Sequence, residues 1–259
     1  MPDRNQLFKP SKTRRFVSAW TVIHDEKRLL ARVDEFADLF DQIVFMCGAP
    51  TAAGRLPTDW PPAARRRITA GMRRMGVSVL NDYGGAWKNC GENLCRSPRM
   101  IAGLARRMAD ECEATGADGV DIDFEKWPPE SRFAFTDLLA RLSEELHARG
   151  KLLSICSYPY NAAARRENNM GFIDPGLVAP LVDQYRVMCY DLYCPPSLYV
   201  GPTSTAPWGR DCMQYQAGLI PKHKLIMGLP TYSVDWNINV PPESCQVNDA
   251  EFLAAREKE

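Results

Sequence analysis

One eight-residue stretch concentrates the chemistry of this chain: Asp118-Gly119-Val120-Asp121-Ile122-Asp123-Phe124-Glu125. Carboxylates inside an apolar run are costly, because burial strips their hydration. Strand side chains alternate with period two. Asp121, Asp123 and Glu125 therefore share one face, and Val120, Ile122 and Phe124 the other. Carboxyl groups this close cannot all ionise, so protons are shared and one acid stays protonated towards neutral pH. Such an acid can protonate a leaving-group oxygen. Two other readings compete. A solvent-facing edge strand would alternate charge in this way, but it would not carry so apolar an opposite face. A Mg²⁺ or Ca²⁺ site would draw oxygens from several elements, whereas these three lie along one. Glu125, last in the row, is the candidate catalytic acid.

The elements that must position these acids follow from apolar periodicity. Short apolar runs, several rich in β-branched or aromatic residues, occur at 16–23, 42–47, 77–80, 119–124, 152–156, 185–190 and 225–230, and they read as buried strands. Leu29, Leu30, Val33, Phe36, Ala37 and Phe40 keep helical spacing, as do Phe135, Leu138, Leu139, Leu142 and Leu146. Ser97-Pro98 is a helix start and Gly150 a helix stop. Strand and helix in alternation indicate βαβ units around a parallel sheet. A doubly wound sheet would carry a Gly-rich phosphate loop after an early strand, and none is present. The fold expected is α/β, a TIM (β/α)8-type barrel lacking its eighth strand in this chain. In a barrel the apolar face of the fourth strand packs on helices, and its acids climb towards the C-terminal mouth, where active sites lie.

The 259 residues balance 32 basic against 32 acidic side chains, so no nucleic-acid partner or anionic membrane surface is indicated. Arg65-Arg66-Arg67 and Arg73-Arg74 read as solvated helix faces. No run is long enough to span a bilayer. The polar, basic start lacks the apolar core of a signal peptide, so the expected location is cytoplasmic, or secreted if a leader is missing. Nine scattered cysteines contain no CxxC pair, which argues against structural zinc. Cys156 and Cys189 read as small buried hydrophobes, whereas Cys90 and Cys95 would form a local disulfide in an oxidising compartment. The division expected is a basic tail over 1–15 and a catalytic barrel over 16–259.

The acidic strand resembles the DGxDxDxE signature of glycoside hydrolase family 18, the chitinases and endo-β-N-acetylglucosaminidases, at every fixed position. Asp82-Tyr83-Gly84-Gly85 is similar to that family's SxGG motif, with Asp82 in place of serine. Met188-Cys189-Tyr190-Asp191 resembles its MxYD motif, and Gly228-Leu229-Pro230-Thr231-Tyr232 its seventh-strand segment.

The resemblance implies a retaining mechanism in which the substrate's 2-acetamido carbonyl is the nucleophile; this family is an exception to the two-carboxylate scheme. Carried over, Glu125 is acid and then base, Asp123 orients the acetamido group, Asp121 shares a proton with Asp123, Tyr190 bonds the acetamido carbonyl, Asp191 positions the sugar and Met188 shapes the pocket floor. Gly84 and Gly85 belong to the substrate face. Tyr83, Tyr158 and Tyr232 join Trp87, Tyr160 and Tyr193 as candidate stacking platforms. The implied partner is a glycan containing N-acetylglucosamine, with no cofactor and no metal. The alternative is a catalytically impaired carbohydrate-binding relative. One departure from the family concerns its eighth-strand tryptophan, which floors the subsite at the cleaved bond; Trp236 is no obvious substitute.

Overall fold

The seven apolar runs each become a strand, and neighbours in sequence become neighbours in space. The computed structural model describes residues 15–57, 60–85, 93–94, 96–161, 171–194, 200–234 and 236. The strands are β1 (Ser18–Thr21), β2 (Gln42–Met46), β3 (Ser78–Gly85), β4 (Gly119–Phe124), β5 (Leu152–Ser157), β6 (Gln184–Met188) and β7 (Leu225–Gly228). All pair in parallel, in the order β1-β2-β3-β4-β5-β6-β7. Among the described residues there is no eighth strand, and no ladder joins β7 to β1. The sheet still curls. Arg186 Nη1 of β6 reaches Ser18 Oγ of β1 at 3.0 Å, across the interior.

Helices α1 (Glu26–Glu35), α2 (Pro62–Arg74), α3 (Pro98–Thr115), α4 (Arg132–Ala148), α5 (Pro175–Val178) and α6 (Ala206–Gln216) follow successive strands. Their boundaries have local causes. Ser97 caps α3 by accepting from Met100 N, with Pro98 in the first turn. Gly116 closes α3 with φ of 75° and Gly150 follows α4 with φ of 68°, the left-handed conformation that glycine adopts without strain. Helix α1 stops at Glu35, so Phe36 and Ala37, expected to continue it, lie in the following turn, and Phe40 lies just beyond that turn. Among the described residues no helix is long and apolar enough to cross a membrane.

Two buried layers result. The larger lies between sheet and helices and includes Val120, Ile122 and Phe124 of β4 with Phe135, Leu138 and Leu142 of α4. Phe124 stacks on Trp127 at 4.8 Å, and Phe135 and Phe172 complete the aromatic group. Each such side chain contributes about 1.5–3 kcal/mol on burial. This clamp holds Phe124 outward and so fixes the inward direction of its neighbours. The smaller layer is inside the sheet, where Val44, Leu80 and Leu152 meet Trp20.

Candidate active site

Strand β3 sets the register of the site. It extends to Gly85, so Asp82 stands opposite Asp121 and Gly84 opposite Asp123. Both aspartates of the first pair are fully buried. A side chain at Gly84 would meet Asp82 Oδ2 at 3.4 Å and Asp123 Oδ2 at 3.3 Å, so the bare glycine leaves room for the two carboxyl groups. Glu125 follows directly, half-buried, its amide still donating to Gly85. The next residue, Lys126, adopts φ of 57°, as does Asp191 at 58° after Tyr190. Left-handed backbone at non-glycine residues costs roughly 1–3 kcal/mol and marks both turns beside the acids.

The rest of the interior converges on these carboxyls. Cys156 of β5 donates its thiol to Asp121 Oδ2 at 3.2 Å, and Trp20 Nε1 approaches the same oxygen at 3.4 Å. Arg186 Nε lies 3.4 Å from Asp121 Oδ1. The arginine is fully buried and is held by Ser154, Ser18, Gln42 and Gln184. Its guanidinium also lies 5.4 Å from the Trp20 ring centroid. Tyr158 Oη donates to Glu125 Oε2 at 2.8 Å. Burial, then the charge of Glu125, pushes the Tyr158 hydroxyl well up, so it stays a donor.

Too many carboxyls share too little solvent. Burial, then the charges of Glu125 and Asp121, raises Asp123 to about 7. Asp82 is pushed well above the usual carboxylate range, by burial first and then by Asp121 and Asp123. The crowding of carboxyls expected of the acidic row thus extends to a residue of β3.

Most predicted site residues come together. Asp121, Asp123, Glu125, Tyr158, Met188 and Tyr190 line the interior or its mouth, with Gly84 and Gly85 beside them. Tyr190 touches the ring of Trp20 at 6.3 Å and that of Tyr232 at 6.2 Å. Gly228 makes this possible, because a Cβ there would meet Tyr190 at 3.1 Å and Trp20 at 3.3 Å. Tyr232 Oη donates to Asp191 Oδ1 at 2.6 Å, at the exposed rim.

Tyr83 is a correction. It was expected to offer a sugar platform, but it points outward from β3, is fully buried, and donates to Glu111 of α3. The cause is alternation: if Asp82 faces in, Tyr83 faces out. Tyr160 is likewise buried in the outer core, and Tyr193 packs on Gly201. Trp236 Nε1 donates to the Gly201 carbonyl. Trp87, Cys90 and Cys95 lie outside the described residues, as do residues 1–14 and 237–259.

Four interior residues escaped the sequence reading as parts of the site: Asp82, Cys156, Arg186 and Trp20. The signal was period two, which puts Arg186 on the face of Met188 and Cys156 on that of Ser154.

The model of glycosyl hydrolases family 18 matches residues 84–258. "Putative sporulation-specific glycosylase YdhD" of Bacillus subtilis is 27% identical over 193 residues, which span 73% of this chain and 43% of that protein. The cortical fragment-lytic enzyme of the same organism is 24% identical over 139 residues, 52% of this chain and 31% of that one. The chain thus spans less than half the length of either relative. Among solved structures, the Bacillus cereus spore cortex-lytic enzyme SleL superposes with a TM-score of 0.77 at 18% identity, covering 96% of this chain and 59% of that one. The chitinase from Chromobacterium violaceum gives 0.73 at 18% identity, covering 84% and 68%. These likenesses show the same barrel-type fold. With two thirds of its length matched by the family model, this chain belongs to glycosyl hydrolases family 18.

Proposed function

We propose that the chain cleaves β-linked glycans containing N-acetylglucosamine by substrate-assisted, retaining hydrolysis. One observation carries the reading. Glu125 follows β4 at the mouth, beyond Asp121 and Asp123 on the same face, with Tyr158 bonded to one of its oxygens. In this reading Glu125 protonates the scissile oxygen and later takes a proton from water. Asp123 accepts the acetamido N–H and offsets the positive charge that grows as the acetamido carbonyl attacks C1. Tyr190, next to Asp123, bonds that carbonyl and pins it for attack, a proximity effect. Asp121 exchanges the shared proton with Asp123, and Asp191 with Tyr232 holds the sugar at the rim. Met188 forms part of the floor.

The glycan is a choice among chitooligosaccharide, bacterial wall glycan and the chitobiose core of N-glycans, all of which present the 2-acetamido group. The spore-cortex enzymes among the relatives make wall glycan the first to assay. Cleavage of the polymer or of the core corresponds to chitinase or endo-β-N-acetylglucosaminidase type, respectively. The test is hydrolysis of this panel by the wild type and by Glu125→Gln. The variant is expected to lose at least about 10³-fold in kcat while binding oligosaccharide as before. Equal turnover by the variant would remove Glu125 from its role. Binding without turnover by the wild type would identify an impaired carbohydrate-binding relative.

A further inference from the structure

The family signature contains a serine where this chain has Asp82, and the exchange is not neutral. A hydroxyl brings no charge. Asp82 brings a third carboxyl into a closed space and is fully buried. No N–H, O–H or S–H donor of another described residue serves either of its oxygens. It stands across the sheet from Asp121, and its Oδ2 borders the same spot over Gly84 as Asp123 Oδ2. The titratable groups facing it are Asp121, Asp123 and Glu125 from β4, Arg186 from β6, Cys156 from β5 and Cys47 from the end of β2. Burial, first of all, keeps both thiols in the neutral form, Cys47 being pushed up to about 12. Arg186 is therefore the one cation for Asp82, Asp121 and Asp123 among the described residues. A neutral cluster needs two protons on these three acids.

We propose that Asp82 is a positioning residue of the proton relay: a buried, protonated carboxylic acid that donates its O–H to whichever of Asp121 and Asp123 is ionised. At rest Asp123 carries the second proton, and Asp121, which faces Arg186, receives the Asp82 hydrogen bond. When substrate binds, the Asp123 O–H bond breaks and an Asp121 O–H bond forms. Asp123 is then free to accept the acetamido N–H, and Asp82 turns its hydrogen bond to Asp123. The proton count is unchanged throughout. The direction of the Asp82 shift agrees with a neutral acid. Serine could give the same hydrogen bond but could never become a charge. With aspartate, the relay gains an ionisation that shuts it down in alkali.

The role in turnover rests on the hydrolase reading, whereas the protonation does not, and the experiment separates them. Infrared spectra of the unliganded protein near neutral pH are compared between the wild type and Asp82→Asn. The expected result is loss of one C=O stretch typical of a buried, protonated carboxylic acid. An unchanged band overturns the proposal whatever the activity. Should Asp82→Asn not fold, Asp82→Ser supplies the same subtraction. The pH profile of kcat on the cleaved substrate is then measured for the same variant. It is expected to fall about tenfold at its optimum with KM little changed, and its alkaline limb is expected to lose one ionisation. A lost band with an alkaline limb of unchanged form would make Asp82 a protonated structural residue and overturn the relay role. A wild type with no activity on any glycan of the panel would defeat the hydrolase reading and with it the relay role, while the infrared result still judges the protonation.

Discussion

Asp82 and Tyr83 are adjacent in the chain and enter two different buried polar clusters, one on each side of the sheet. Outside, Tyr83 donates to Glu111, which also takes the guanidinium of the buried Arg65. There one carboxylate meets one cation, and α2, α3 and β3 are tied together. Inside, Asp82 joins Asp121 and Asp123 with Glu125 above, and Arg186 is their cation. Balanced charge on the outside is what a structural tie requires. Surplus acid on the inside is a standing cost to stability, and it is the arrangement from which protons can be passed.

Breaking each cluster should therefore damage different properties. The largest effect is expected inside. Asp123→Asn should lower kcat about 10²-fold, because the proposed partner of the acetamido N–H is altered. The same change should flatten the dependence of stability on pH. Asp123 is raised in the folded state, so the native protein holds an extra proton between the ordinary carboxylate range and about 7. Stability from this group is full below that window and falls as pH rises through it. The slope is at most about 1.4 kcal/mol per pH unit for one proton, and Asp123→Asn should remove it in urea titrations across the window.

Next in size is the outer tie. Glu111→Ala strands Arg65 without its anion and should cost roughly 3 kcal/mol of unfolding free energy, read from urea denaturation, while kcat of the folded protein on its proposed substrate is unchanged. A fall in kcat at full folding would show that the two clusters are coupled through β3. The smallest effect is expected at the mouth. Tyr158→Phe removes one hydrogen bond to Glu125 and should lower kcat about tenfold, with little change in KM or melting temperature. Loss of binding instead would make Tyr158 a substrate contact first.

The legible and the illegible parts of this molecule divide along the same sheet. Alternation in β4 tells inward acids from outward apolar residues, because Val120 to Glu125 contain both kinds in strict order. The same rule applied to β3 would have turned Tyr83 outward. The apolar run ends at Leu80, however, and Asp82-Tyr83-Gly84-Gly85 follows it without an apolar strand pattern of its own. The strand continues because Asn81 finds Thr115 of α3 and Tyr83 finds Glu111, partners that stabilise polar residues in a buried ladder. Cys156 was read as a hydrophobe since nothing near it in sequence calls for a donor; its acceptor, Asp121, is 35 residues away. Trp20 and Arg186 became site residues only through the curl of the sheet, which brings β1 against β6 and β7. Local pattern determines which way a side chain faces, and closure determines what it meets.

In the proposed reaction the inward acids serve a nucleophile supplied by the substrate itself. This role is tested most directly by kcat/KM on one oligosaccharide whose 2-acetamido group carries none, one, two or three fluorines. Fluorine weakens the carbonyl as a nucleophile without removing the leaving group. The expected result is a fall of more than about tenfold across the series, with retained configuration at the new anomeric centre. A flat series, or an inverted product, would contradict it.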